Sequence, residues 1–395
     1  MLSNKNGIIL LIMILILSLL YSINLSTFHN IYASTDSIAD TTSEKSIPIY
    51  MITTRGDLNP TVEVQGDGYN GKYQFGDINQ LKKECPAEIA IFVHGWGNNE
   101  FKAKERLDRI KMSLENNSYG NPLIGLSWDS NKDWGLAKNI AKNNGPKLAN
   151  FIIEYVDTCK QQHKKDTNIR LISHSLGARV LLSTLDYLNT NSTWNNNDYK
   201  IASMHLLGAA VDNEEVSKNP LDIDGDSNIK HAYGKAIQEE VIRFYNLYNP
   251  EDNMLQPKPF KPDNYIYEVY PSPAFENDLA LGQNGKDTTI ATQDQVSTPP
   301  YYELNVQNQI PAISNADAME DKHSLLCFSS SGICEFTKKG SYDYGLCGGF
   351  IWDPICRVGI GDNHGGYIGF RNLDNVNLLE DDGAMNIVVK NWRNP

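Results

Sequence analysis

The sequence predicts an α/β fold with a mostly parallel central sheet and helices on both of its faces. Short apolar runs with few charges recur along the chain, as is typical of strands buried on both faces. Segments with apolar residues at helical spacing lie between them, and this alternation is typical of a parallel sheet covered by helices. A chain of 395 residues that is 41% hydrophobic is long enough to bury one large core.

The predicted elements alternate in chain order. The strands are expected at 47–53, 87–93, 122–128, 169–173, 201–211, 241–248 and 302–306. One helix follows the second strand, because Ala103, Leu107, Ile110 and Leu114 recur at helical spacing. Further helices are expected beyond Pro146, at 178–188, at 231–240 and near the C-terminus.

The N-terminus is typical of a targeting segment. Lys5 precedes an almost unbroken apolar run from Ile8 to Ile23, and Ala33 ends a plausible cleavage site before Ser34. The run is shorter than the roughly 20 residues that cross a membrane. Residues 1–34 are therefore interpreted as a cleaved signal peptide, or else as an uncleaved anchor. Either interpretation predicts a protein that is secreted or anchored at the cell surface.

The negative net charge of the chain excludes nucleic acid as a partner. The formal net charge is −13, and a surface of this sign repels nucleic acid. The chain offers no polybasic patch for a membrane, so membrane attachment is expected only through the N-terminus.

The chain has six cysteines, which fit an exported protein. Disulfides are favoured over zinc or free thiols, because the spacings are loose and no CxxC motif occurs. Cys85 precedes a strand and Cys159 ends a helix that runs the opposite way, so both belong at the amino edge of the sheet. A bridge and two buried thiols fit that placement equally well. The remaining four are Cys327, Cys334, Cys347 and Cys356, for which neighbouring pairs are the simplest connectivity.

The strongest chemical signal is Ser173-His174-Ser175-Leu176-Gly177. It lies between a predicted strand and a predicted helix, which is the context of a nucleophile elbow. Such a turn is tight and needs small residues on both sides of the nucleophile. Gly177 meets this requirement, and Ser173 stands where glycine is usual. The turn would project the hydroxyl of Ser175 above the carboxyl edge of the sheet.

A second motif, His94-Gly95-Trp96, follows the strand at 87–93. Acyl transfer places negative charge on a carbonyl oxygen and needs preorganised backbone donors. A glycine lets the loop approach the substrate closely, so the N–H groups of Trp96 and Leu176 are the expected donors. His94 is expected to brace this loop.

These motifs resemble the α/β-hydrolase superfamily, specifically its lipase-like branch, over roughly residues 87–370. The segments 124–130, 206–213 and 363–369 are also similar to archaeal and bacterial hydrolase-like proteins of unassigned substrate. The resemblance implies the chain order nucleophile, acid, histidine. Asp252, after the strand at 241–248, is the expected acid, with Asp212 and Glu251 as alternatives. His364 is the expected base, with His323 as the alternative, and His174 is expected to pack under the elbow.

The four predicted regions are an N-terminal segment (1–34), a hydrolase core (35–308), a cysteine-rich insertion (309–360) and the histidine loop with a terminal helix (361–395). The insertion is expected either to line or cover the active site or to pack against the side of the domain. Asp222, Asp224 and Asp226 resemble half a calcium loop but fail the EF-hand pattern, so an acidic turn is favoured over a structural calcium.

The resulting functional hypothesis is a serine hydrolase that cleaves carboxylic esters, lipid-like or otherwise apolar, through an acyl-enzyme. It predicts no metal and no cofactor, and it leaves the oligomeric state open. Two alternatives remain: a peptidase or amidase with the same triad, and a non-catalytic surface-binding protein on a hydrolase fold.

Overall fold

Among the described residues, the central sheet of the computed structural model contains seven parallel strands, and an eighth short strand pairs antiparallel at one edge. The structure describes residues 46–55, 63–64, 75–132, 134–219, 232–252, 255, 257–258, 261–267, 274–275, 279–310, 364–371 and 379–393.

The strands are β1 (Ile49–Thr53), β2 (Glu63–Val64), β3 (Glu88–Val93), β4 (Leu123–Ser127), β5 (Asn168–His174), β6 (Ser203–Leu207), β7 (Phe244–Tyr248), β8 (Pro257–Lys258), β9 (Lys261–Tyr267), β10 (Ala274–Phe275), β11 (Tyr301–Asn305), β12 (Phe370–Arg371) and β13 (Leu379–Asp381). The helices are α1 (Ile78–Glu84), α2 (Glu100–Asn116), α3 (Trp134–Asp157), α4 (Gly177–Thr190), α5 (Ser192–Asn196), α6 (Gly234–Glu240), α7 (Leu281–Asn284) and α8 (Met385–Arg393). The central sheet has the order β11-β7-β6-β5-β3-β4-β1-β2.

Helices cover both faces of this sheet, as the sequence predicts. Alternate residues of β3 point to opposite faces: Ile89 and Ile91 join the core packed under α3 and α4, whereas Ala90 and Phe92 join the core under α2 and α8. Because both faces are buried, the inner strands are apolar throughout.

The predicted start of the helix beyond Pro146 is wrong. Helix α3 begins at Trp134 and contains Pro146. The buried residues Ala137, Ala141 and Gly145 let this segment pack closely on α4, where a Cβ on Gly145 would lie 2.4 Å from Cβ of Ser183. Tertiary packing therefore holds a helix that the proline alone would end.

Of the two arrangements that the sequence leaves open for Cys85 and Cys159, the bridge is present, with the two Cα atoms 5.5 Å apart. Cys85 follows α1 just before β3, and Cys159 lies in the π-helical turn Thr158–Gln162 that continues α3. Both lie at the amino edge of the parallel strands. The bridge is thus placed opposite the carboxyl edge, where β5 leads into Ser175.

Removing this bridge should cost stability and leave the carboxyl edge intact. The double variant Cys85→Ala/Cys159→Ala is expected to lose about 2–4 kcal/mol of unfolding free energy, because the unfolded chain is no longer cross-linked. Urea unfolding measures the loss, and Cys159→Ala alone should account for most of it. Equal unfolding curves, or alkylation of both thiols in the unreduced native protein, would contradict the bridge.

Three predictions lie outside the described residues: the targeting segment at 1–34, the cysteine-rich insertion at 309–360 apart from its first two residues, and the acidic turn of Asp222, Asp224 and Asp226. In the part of the chain that the structure describes, no helix is both long and apolar enough to cross a membrane.

Candidate active site

Ser175 occupies the sharp turn between β5 and α4, with a φ of 55° that serine rarely adopts. Its backbone N–H donates to the carbonyl of Leu207 on the neighbouring strand β6 at 3.0 Å. Its carbonyl accepts from the N–H groups of Ala178 at 3.0 Å and Ala210 at 3.2 Å. These bonds hold the turn from both sides, so the left-handed backbone is fixed. This is the strand–turn–helix geometry of a nucleophile elbow.

Two glycines allow the backbone to approach this turn. A Cβ on Gly177 would lie 2.5 Å from the carbonyl oxygen of Val93, so the start of α4 rests directly against the end of β3. A Cβ on Gly95 would lie 2.7 Å from Cβ and 3.2 Å from Oγ of Ser175. The loop after β3 therefore passes beside the serine hydroxyl, and a side chain at Gly95 would displace it.

Asp252 and His364 form a buried pair, with Oδ2 of the carboxylate 2.7 Å from Nδ1 of the imidazole. The backbone N–H of Leu255 donates to the other carboxylate oxygen at 3.2 Å, which fixes the plane of the carboxylate. Because a carboxylate accepts, Nδ1 carries the proton in the neutral ring and Nε2 is the basic nitrogen. The structure thus brings together the predicted acid and the predicted base.

The loop after β3 is held by side chains that bind its carbonyl groups. Nδ1 of His94 and Nδ2 of Asn98 both donate to the carbonyl of Gly95 at 2.9 Å, and Asn98 also donates to the carbonyl of Trp96 at 2.9 Å. In a trans peptide the N–H of Trp96 points opposite to the carbonyl of Gly95. Fixing that carbonyl fixes the direction of the N–H group that the sequence assigns to the oxyanion.

His94 remains neutral in this position. Its Nε2 accepts from the backbone N–H of Trp128 at 3.2 Å, and its ring stacks on the indole of Trp128 at 5.5 Å. Burial, together with the charge of Arg55 nearby, lowers the pKa of His94 to about 3. Neutral His94 thus connects the carbonyl of Gly95 to the backbone N–H of Trp128.

The alternative acids are Asp212 and Glu251. Asp212 follows β6 near Glu215, where burial raises the pKa of the Glu215 carboxyl and the charge of Asp212 adds to that rise. Glu251 is half-buried beside Asp252, with its N–H bound to the side chain of Asn249. The carboxylate that contacts His364 belongs to Asp252. The alternative base, His323, lies outside the described residues.

Residues 73–256 match the model of a family described as alpha/beta hydrolase of unknown function (DUF900). This range contains β3 to β7, the elbow and Asp252. The described part of the chain has an α/β-hydrolase fold. No curated protein matches the chain significantly.

Two solved structures similar to this chain are a novel cutinase-like protein from Cryptococcus sp. and the phospholipase PlaB from Legionella pneumophila in complex with thio-NAD. The first is 11% identical with a TM-score of 0.25, and the match covers 56% of this chain and 76% of the other. The second is 12% identical with a TM-score of 0.26, and the match covers 44% of this chain and 40% of the other. Likeness at this level carries no information on substrate.

Sequence reasoning missed two residues of the candidate site and one contact of a third. Asn98 holds the loop through its side-chain amide, and Trp128 holds His94, but neither belongs to a motif of its own. His174, expected to pack under the elbow, is buried and also contacts His364: its Nε2 lies 2.8 Å from the carbonyl oxygen of that residue. Only the fold brings positions 174 and 364 together. Among the described residues, no cluster of His, Cys, Asp or Glu is arranged to hold a metal ion.

Proposed function

We propose that this α/β-hydrolase is a serine hydrolase that cleaves carboxylic esters, with Ser175, His364 and Asp252 as its triad. The observation that carries the proposal is the buried Asp252–His364 pair, whose histidine also contacts the residue directly before Ser175. Two further facts support it: Ser175 follows β5 and Asp252 follows β7, both at the carboxyl ends of parallel strands, which is where parallel folds build their sites.

The reaction would proceed through an acyl-enzyme. Nε2 of His364 takes the proton of Ser175 as Oγ bonds to the ester carbonyl carbon, and the π electrons move to the carbonyl oxygen. The N–H groups of Trp96 and Leu176 bind that oxyanion. As the carbonyl reforms, the C–O bond to the alcohol breaks and His364 gives its proton to the departing oxygen. A water molecule then repeats the sequence and releases the acid and free Ser175.

Each supporting residue has a defined task in this scheme. Asp252 holds the Nδ1 proton and stabilises the imidazolium that forms when His364 is protonated. Asn98 and His94 keep the carbonyl groups of the loop turned away from the oxyanion, at no cost in reorganisation during the reaction. The Trp96 indole packs edge-on against Trp134, which gives the loop an apolar side. This apolar surface is the reason for proposing an apolar acyl group.

The proposal extends to location. The Cys85–Cys159 bridge and the apolar run at 8–23 support export through the N-terminal segment, as a secreted or surface-anchored enzyme.

The test is turnover of p-nitrophenyl esters of increasing acyl length beside chromogenic amides that carry the same acyl groups. Ester hydrolysis that exceeds amide hydrolysis and rises with acyl length is the expected result. Amide hydrolysis alone would make the protein a peptidase or amidase with the same triad. No turnover of either substrate, together with no reaction of Ser175 with a fluorophosphonate, would leave a binding protein on a hydrolase fold.

A further inference from the structure

His174 is a buried histidine that the proposed chemistry does not use. It ends β5, and its Nε2 lies 2.8 Å from the backbone carbonyl oxygen of His364. A carbonyl oxygen only accepts, so Nε2 of His174 carries the proton and donates it. The two imidazole rings also pack against each other, with their centroids 4.7 Å apart.

The 3₁₀ turn that carries the base, His364–Ile368, is anchored at several other points. Ser113 on α2 donates to the carbonyl of Ile368 at 3.1 Å, and the hydroxyl of Tyr367 donates to the carbonyl of Gly282 at 3.1 Å. Arg109, also on α2, lies 3.5 Å from the carbonyl of Gly365. These contacts fix residues 365–368. By contrast, the hydrogen bond from His174 holds the backbone carbonyl of His364, the residue that carries the base.

Burial and nearby charges keep His174 neutral. Burial, the charge of His364 beside it and the guanidinium groups of Arg106 and Arg109 on α2 lower its pKa well below the usual range. His174 therefore stays neutral while His364 becomes charged during proton transfer. A second cation next to the imidazolium would oppose that step.

We propose that His174 is a positioning residue that sets the distance between nucleophile and base, by holding the carbonyl of His364 from the residue directly before Ser175. This inference rests on the proposed triad. Ser175 is then linked to His364 through the peptide bond to His174, the side chain of His174 and one hydrogen bond. The two residues joined by this hydrogen bond are 190 positions apart in the sequence, so the chain between them cannot fix their distance in its place. A misplacement of about 1 Å between reacting groups can cost about 100-fold in rate.

The test compares three variants with wild type. His174→Phe keeps an aromatic ring and removes the donor. His174→Gln restores a side-chain N–H at the reach of Nε2. Ser113→Ala is the matched control, because it also removes a buried side-chain bond to a carbonyl of the same turn, at the end away from the base. For each variant, the second-order rate constant for labelling by a small fluorophosphonate, kcat and KM for a short ester, and Tm are measured.

His174→Phe is expected to slow labelling and lower kcat by about 10- to 100-fold with KM unchanged. His174→Gln should recover most of the loss, and Ser113→Ala should lower Tm without slowing labelling. The positioning role is refuted if His174→Phe reacts at the wild-type rate, if His174→Gln is as slow as His174→Phe, or if Ser113→Ala slows labelling equally. A wild-type protein that does not label at Ser175 refutes the proposed function itself, and the positioning role with it.

Discussion

Replacing Ser175 with alanine is expected to lower kcat/KM for a p-nitrophenyl ester by about 10⁴-fold or more. The variant loses the hydroxyl oxygen that the elbow presents beside the loop of Gly95, so no acyl-enzyme can form. The backbone donors remain, and a small residual rate above water is expected from them. The measurement is steady-state hydrolysis at enzyme concentrations high enough to detect that residual rate.

Ser203→Ala is the matched control for this variant. Ser203 is a buried serine that begins β6, the strand beside β5, at the amino edge and away from the elbow. The Ser203→Ala variant should retain wild-type kcat/KM, which separates the effect of losing the nucleophile from the effect of losing a buried hydroxyl. Retention of a large part of the activity by Ser175→Ala would mean that another residue is the nucleophile.

Replacing Asp252 with asparagine is expected to lower kcat/KM by about 10³- to 10⁴-fold. An amide in this place can donate to Nδ1 of His364 and so favours the tautomer with its proton on Nε2, which cannot accept the proton of Ser175. It also removes the negative charge that stabilises the imidazolium. His364→Ala should be as severe as Ser175→Ala, and the two changes together should be no worse than either alone, because triad members act as a unit.

Asp212→Asn is the matched control for the acid. Asp212 is also a buried aspartate after a parallel strand, but its charge acts on Glu215. The Asp212→Asn variant should keep a kcat/KM close to that of the wild type. If Asp212→Asn is severe and Asp252→Asn is mild, the acid belongs to the strand before β7 and the pairing of Asp252 with His364 has no catalytic role.

The parts of the fold that could be predicted depend on local pattern. The apolar strands β3 and β5 and the helical spacing of Ala103, Leu107, Ile110 and Leu114 are all found within a few residues of their predicted bounds. The start of α3 could not be predicted, because packing on α4 overrides Pro146. Helix α1 was missed because only Ile78 and Leu81 of its seven residues are buried, too few to show a period.

The residues of the candidate site also fall into two groups: those with a signal in the sequence and those that only the fold brings together. Ser175 and the loop at His94 have local motifs, and Asp252 and His364 have an expected chain order, so all four could be named from sequence. The contact of His174 with the carbonyl of His364 has no sequence signal, since it depends on where the turn at 364–368 lies in space. Asn98 was missed for a similar reason: its amide binds the carbonyls of Gly95 and Trp96 only once the loop is closed.

The most direct test of the account is labelling of the wild-type protein with a fluorophosphonate, followed by intact-mass measurement and peptide mapping. The account predicts one adduct per chain, located on Ser175, and no adduct in Ser175→Ala. It also predicts a rate that falls in His364→Ala, because the base no longer activates the hydroxyl. An adduct on another residue, or unchanged labelling of Ser175→Ala, would contradict the claim that Ser175 is the nucleophile.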